Sequence, residues 1–308
     1  MASVQHFKTF STHPACRIIV DSTSAVTDEL AAKLGVDVVQ FPFVMADGEH
    51  WDDQFVTVPA KEFYGRMRAG ERVLTSAIPT GTFVEIFRAC AQDGVPAIYL
   101  SLTGGLSSSV NDARQAAALV HDEHPDFQIR VIDSCTPSLT ASLLAEGACR
   151  RRDEGMPMNE VADWVEANKH RVHGYFTLET LDWLVAGGRV PKAAASVSAV
   201  LGMKADLTYD LDGSLTLTGV SRGRKKALRG LVKKFEELYR GTPDLMIGIV
   251  DADDPEAGQA VEDMVREKLG EACPHIQHST LDPTIGAHVG PGMVALAFWG
   301  PDRAEAKR

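Results

Sequence analysis

The 308-residue chain has no long hydrophobic run: no apolar stretch approaches the ~18 residues that a membrane-crossing helix needs, so no stable membrane insertion is expected. It also lacks an excess of positive charge. Lysine and arginine number 31 against 42 aspartates and glutamates, a formal balance of −11, which argues against non-specific nucleic-acid binding. Cysteine is sparse. The five thiols (Cys16, Cys90, Cys135, Cys149 and Cys273) are odd in number, widely spread and never spaced C-x-x-C. That excludes a disulfide framework and fits a cytoplasmic protein with reduced thiols. His121/His124 and His275/His278 have a His-x-x-His spacing but no cysteines nearby, and no metal site is expected. The opening "MASVQHFKTFSTHPACR" has no charged segment followed by an apolar one; it reads as a loose leader rather than a secretory signal.

Several catalytic signatures are missing as well. There is no G-x-S-x-G elbow, because the relevant stretch reads Gly105-Leu-Ser107-Ser-Ser109. "TGGLSSS" lacks the Gly-Lys-Ser/Thr ending of a phosphate-binding loop, and "DGSLTLTG" falls in a hairpin rather than in a dinucleotide fingerprint. There is no internal repeat and no low-complexity tract.

What is present is a repeated order of strand, loop and helix. "RIIVD" reads as a buried strand, and the hydroxyls of Ser22, Thr23, Ser24 and Thr27, with Asp21, offer caps for a helix that Gly35 ends. "VDVVQFPFVM" reads as a second strand, and "VPAKEFYGRMRAG" as a helix opened by Pro59 and closed by Gly70. "PAIYLSL" and "FQIRVIDS" are further strands, each followed by a hydroxyl-rich loop and a helix. Such alternation predicts a mainly parallel sheet covered by helices, with ligands gathering beyond the strands' C-terminal ends. A second α/β part follows, with a boundary between residues 160 and 175. It holds the strand "VHGYFTL", a short helix ending at Gly187-Gly188-Arg189, a hairpin turning at Asp212-Gly213, and a basic helix carrying Arg222, Arg224, Lys225, Lys226, Arg229, Lys233 and Lys234. We therefore expect an α/β fold of two domains, 15–165 (mainly parallel, Rossmann-like) and 166–300, with a ligand between them and flexible tails at 1–14 and 301–308.

Three groups on loops have the chemistry to hold a small anion. Thr75 and Ser76 form a hydroxyl pair before a helix, Ser107 precedes another, and His288 stands among glycines in "IGAHVGPGMVALAFW". Hydroxyls and helix N-termini donate to carboxylates and phosphates, and a histidine adds one switchable donor. Taken singly, each of these is an ordinary cap or turn residue. Ser107 and His288 with Asp21 or Asp133 also match a catalytic triad in type, so a serine hydrolase acting on lipid esters is the alternative reading. In a chain of net −11, the basic helix is a docking surface for an acidic partner or a phosphate.

The chain resembles the DegV family, whose fatty-acid-binding (FakB-type) members present a bound fatty acid to a partner kinase. The resemblance runs from Arg17 to Trp299 and rests on motifs in family order: "IIVDST", "TSAIPTGTF", "LSSS", "VIDS", "LDWLVAGGRV", "SRGRKKAL" and "GAHVGPG". It implies a two-domain DegV-like fold with a long-chain fatty acid in a buried tunnel. The carboxylate would be held by Thr75, Ser76, Ser107 and His288. Arg189, after the double glycine, and Arg222, at the start of the basic helix, would support phosphoryl transfer. It implies no catalytic residue, cofactor or metal of the chain's own. The protein would instead be a lipid-binding co-substrate of a separate ATP-dependent fatty acid kinase (FakA-type), carrying an acyl phosphate for phospholipid synthesis. This sequence departs from the family's T-S-Q-P-S at Thr75-Ser-Ala-Ile-Pro79, and from its L-S-G-T at Leu106-Ser-Ser-Ser109, where Ser108 replaces a glycine.

Overall fold

Hydrophobic continuity decides the architecture. In the computed structural model, which describes residues 4–191, 203–241 and 245–305, the strand Arg17–Asp21 is buried along its whole length. That is the pattern of a strand covered on both faces. In chain order the first half gives β1 (Phe7–Lys8), β2 (Arg17–Asp21), α1 (Asp28–Leu34), β3 (Asp37–Val39), β4 (Pro42–Met45), β5 (Gly48–Trp51), α2 (Ala60–Arg68) and β6 (Leu74–Thr75). It continues with α3 (Thr80–Asp93), β7 (Ala97–Ser101), α4 (Ser109–Glu123), β8 (Ile129–Asp133), α5 (Leu139–Asp153) and α6 (Met158–Asn168). The second half gives β9 (Val172–Thr177), α7 (Asp182–Ala186), β10 (Met203–Tyr209), β11 (Leu215–Arg222), α8 (Arg224–Leu238), β12 (Ile247–Asp251), α9 (Pro255–Leu269), β13 (Ile276–Thr280), α10 (Pro283–Val289) and β14 (Val294–Trp299).

The first sheet has the order β1-β3-β2-β7-β8, parallel except for the edge strand β1. The second, β11-β10-β9-β14-β12-β13, is mostly antiparallel, with only β12 and β13 parallel. The fold is thus mixed α/β, with a mainly parallel N-terminal sheet, as expected. A third, small sheet, β5-β4-β6, was not anticipated. "VDVVQFPFVM" is not one strand. Gln40 and Phe41 form a break, after which β4, opened by Pro42, leaves the first sheet to pair with β5 and β6; proline is tolerated as the first residue of a strand.

Helix α5 joins the two halves. Eleven of its fifteen residues are buried, and it packs against β2 on one side and β9, β12 and β14 on the other. Its small residues permit this: a Cβ on Gly147 would lie 2.4 Å from the Trp164 ring. One hydrophobic core accordingly runs from Ile18 and Leu100 in the first sheet to Phe176, Leu207 and Ala297 in the second.

Both expected tails need correction. β1 pairs with β3, His6 stacks on Trp51 at 3.6 Å, and the backbone amides of Phe10 and Ser11 donate to Asp37. At the other end Arg303 is buried and donates to the carbonyls of Asp210 and Cys135. Residues 4–11 and 301–303 are therefore anchored by obligatory polar pairing, whereas 1–3 and 306–308 lie outside the described residues. Within the first loop, Thr27 alone caps α1, at 3.3 Å from the amide of Leu30, while Ser22–Ser24 form a separate buried 3₁₀ turn.

Candidate functional site

Beyond the C-terminal ends of β3 and β7, where the first sheet faces β9 and β11, lies a cavity of about 880 Å³, part of it open to solvent. Its wall is largely apolar, including Phe41, Leu102, Phe176, Leu215, Val289 and Met293. At one end stand Thr75, Ser76, Ser107, Arg189 and His288. Five of the six residues read from the sequence thus share one cavity. The sixth, Arg222, is exposed at the end of β11 and does not line it.

Hydrogen bonds between distant segments hold this polar end together. Thr75 Oγ1 and His288 Nε2 lie 2.7 Å apart across 213 positions of sequence. Ser107 Oγ is 3.0 Å from Ser109 Oγ, which accepts from the amide of Ile78 at 3.1 Å. Arg189 Nε donates to the carbonyl of Leu106 at 3.2 Å and Nη1 to that of Gly187 at 2.7 Å. The loops after β6 and β7, the turn after α7, and α10 are therefore one linked rim.

His288 is not on a glycine turn, as the sequence suggested. It lies in the last turn of α10, because Asp282 accepts from the amide of Ile285 as the N-cap and Pro283 takes the first helical position. The surrounding glycines serve packing. A Cβ on Gly187 would meet His288 Nδ1 at 2.2 Å, and one on Gly290 (φ +74°) would meet Trp183 at 2.0 Å. The start of α10 is fixed from the other side, where Thr284 Oγ1 donates to the buried Asp52 at 2.7 Å. Burial, and then the neighbouring Asp52 carboxylate, push Asp282 well above the carboxylate range.

Of the two states open to the switchable donor expected from the sequence, the surroundings of His288 favour the neutral one. Burial, with the Arg189 guanidinium as second cause, pushes His288 down to about 4, so it is neutral at physiological pH. Its Nδ1 is buried without a hydrogen-bond partner among the described residues. Among the described residues, Arg189 is the one cationic side chain on the cavity wall.

The triad of the alternative reading is not assembled. Ser107 pairs with Ser109 rather than His288, and His288 Nε2 faces Thr75. Asp21 is taken by Thr23, Tyr99 and the amide of Leu102, and Asp133 by the amides of Gly104 and Cys135. No group of three or more histidine, cysteine, aspartate or glutamate side chains among the described residues could hold a metal ion.

Sequence reading missed Ser138. It lines the cavity at the N-cap of α5 with φ 56° and ψ −144°, a conformation costly for any residue with a side chain, and its buried hydroxyl has no partner among the described residues. Nothing in "VIDSCTPSLT" signals such a backbone. Ser108, which replaces a family glycine, is the N-cap of α4 at φ −77°, an ordinary conformation that needs no glycine.

A mixed α/β protein with a largely apolar cavity and a rim of hydroxyls, a neutral histidine and an arginine is defined by these features. The model of the family described as "Uncharacterised protein, DegV family" matches residues 15–300, and the chain belongs to the DegV family. A DegV domain-containing protein of Clostridium perfringens is 28% identical over 283 residues, covering 92% of this chain and 97% of its own. Among solved structures, a DegV family protein from Thermus thermophilus, described for its fatty acid binding, superposes with a TM-score of 0.81 at 25% identity, over 92% of this chain and 99% of its own. A DegV lipid-binding protein from Thermotoga maritima gives 0.81 and 25% over 94% and 99%.

Proposed function

We propose that this protein binds a long-chain fatty acid, with its tail in the cavity and its carboxylate at the linked rim. The observation that carries this reading is the division of one cavity into an apolar interior and a polar end built from Thr75, Ser76, Ser107 and His288. The fatty-acid-binding description of the Thermus thermophilus relative supports it. Burial of each methylene is worth roughly 0.8 kcal/mol, so a chain of about sixteen carbons gains on the order of 10 kcal/mol before ordering costs. The tail sets affinity and the rim sets orientation. A neutral His288 donates one bond to the carboxylate, and Arg189 supplies the compensating charge.

On the same reading the protein is not an enzyme but the co-substrate of a separate cytoplasmic fatty acid kinase, and needs no cofactor. A carboxylate oxygen attacks the γ-phosphorus of a nucleoside triphosphate held by that partner. The new O–P bond forms as the bond to the bridging oxygen breaks, and the electron pair leaves with the nucleoside diphosphate. The mixed anhydride stays shielded from water in the cavity and serves as activated acyl donor for phospholipid synthesis. Arg222, exposed beside the basic helix α8, belongs to the kinase-facing surface.

Mass spectrometry of organic extracts of the purified protein tests the binding reading. A stoichiometric long-chain fatty acid is the expected result. Absence of lipid, together with no binding on addition, would overturn it.

A further inference from the structure

Thr75, Arg189 and His288 line two hollows. Besides the tunnel they face a second, smaller hollow of about 500 Å³, whose other lining residues include Arg72, Leu74, Trp183 and Gly187. The groove is on the surface, since Arg72 is exposed and Leu74 is 66% exposed. The partition between tunnel and groove is therefore a single layer of side chains. A carboxylate lodged against it from the inside is separated from the groove only by the Thr75–His288 pair.

Among the described residues the groove carries two guanidinium groups and no carboxylate. Arg72 forms no ion pair or hydrogen bond among the described residues, although most arginines on this acidic surface are paired: Arg66 with Asp47 and Glu71, Arg68 with Asp253, and Arg88 with Glu123. Arg189 uses Nε and Nη1 on carbonyls and faces no acidic side chain in either hollow. An unneutralised pair of guanidinium groups beside a neutral histidine suits a compact, doubly charged anion, and the fork geometry of arginine matches phosphate oxygens.

We propose that this groove is the phosphate subsite of the acyl phosphate, with Arg72 as the residue that distinguishes the phosphorylated ligand from the free acid. The inference rests on the fatty-acid reading above. It adds that the Thr75–His288 hydrogen bond opens in the acyl-phosphate complex, so that the C–O–P linkage passes between the two side chains and the phosphoryl group reaches the groove, where a partner can deliver and withdraw it.

A stable acyl phosphonate with a sixteen-carbon chain tests this against hexadecanoic acid, by calorimetric titration of the full chain. The wild-type protein is expected to prefer the phosphonate about tenfold. Arg72→Ala should cost the phosphonate about fivefold and Arg72→Glu more, with hexadecanoic acid affinity unchanged, the modest size reflecting solvent screening of an exposed arginine. Equal affinity for the two ligands in the wild type, or equal losses for both in Arg72→Ala, would overturn the subsite. Binding of Arg72 to phosphatidylglycerol vesicles, lost in Arg72→Ala while the phosphonate preference stays intact, would also overturn it by assigning the arginine to a lipid surface. Competition by inorganic phosphate at millimolar concentration, relieved in Arg72→Ala, would support it. Failure of hexadecanoic acid itself to bind would instead remove the fatty-acid reading.

Discussion

Two histidines in the C-terminal half have opposite surroundings. His278, on β13, is gripped at both ring nitrogens: Nε2 lies 3.1 Å from Asp251 Oδ2 and Nδ1 3.1 Å from Glu262 Oε2. Its pKa is raised, first by the hydrogen bond to Asp251, and the imidazolium staples β12, α9 and β13 together. His288, ten residues on, has no acid beside it and is driven neutral by burial and Arg189. The histidine whose pKa is raised is the structural one, and the one whose pKa is depressed lines the cavity. A site without a fixed carboxylate among the described residues leaves the charge of Arg189 unneutralised and available to an incoming anion, which a carboxylate-held imidazolium would not do.

Breaking the His278 clamp gives the largest expected effect. His278→Ala leaves Asp251 and Glu262 facing each other without their cation and should lower unfolding free energy by about 2 kcal/mol in urea titration, with lipid affinity intact. His288→Ala should do the converse. Fatty-acid affinity falls about tenfold, read by fluorescent fatty-acid displacement, while the urea midpoint hardly moves; His288→Gln, which keeps a donor, should lose less.

Imidazole NMR titration sharpens the contrast. In the lipid-free protein His278 should stay protonated above 6.5, while His288 stays neutral down to about 4. The signs for stability are opposite. The raised pKa of His278 gives a contribution fully present below 6.5 that is lost as pH rises through the higher folded value. The depressed pKa of His288 removes stability as pH falls from 6.5 towards about 4. The smallest effect is on salt dependence. With one guanidinium on the cavity wall, fatty-acid affinity should drop only about twofold between low and physiological ionic strength.

The parts of the fold set by local periodicity were legible in the sequence. Continuous apolar runs announced β2 and β7, Gly35 and Pro59 marked helix ends, and Asp212-Gly213 marked the β10–β11 turn. What depended on tertiary pairing was not. β4 looks like a continuation of β3 until its partners β5 and β6 are known, and α10, at seven residues, is too short to show a helical period. Residue types suggested an anion site, but no spacing joins Thr75 to His288; the family motifs brought them together in the reading, and the sheets do so in the molecule. The charge state of His288 was illegible because it depends on burial and on Arg189, and the strained Ser138 has no signature in residue type at all.

The most direct test is a crystal structure of the protein with a long-chain fatty acid. The account predicts a carboxylate within about 3 Å of Thr75 Oγ1, Ser107 Oγ and His288 Nε2, and a tail passing Phe41, Leu102 and Phe176. A carboxylate at the far end of the cavity, or a lipid bound outside it, would contradict the account.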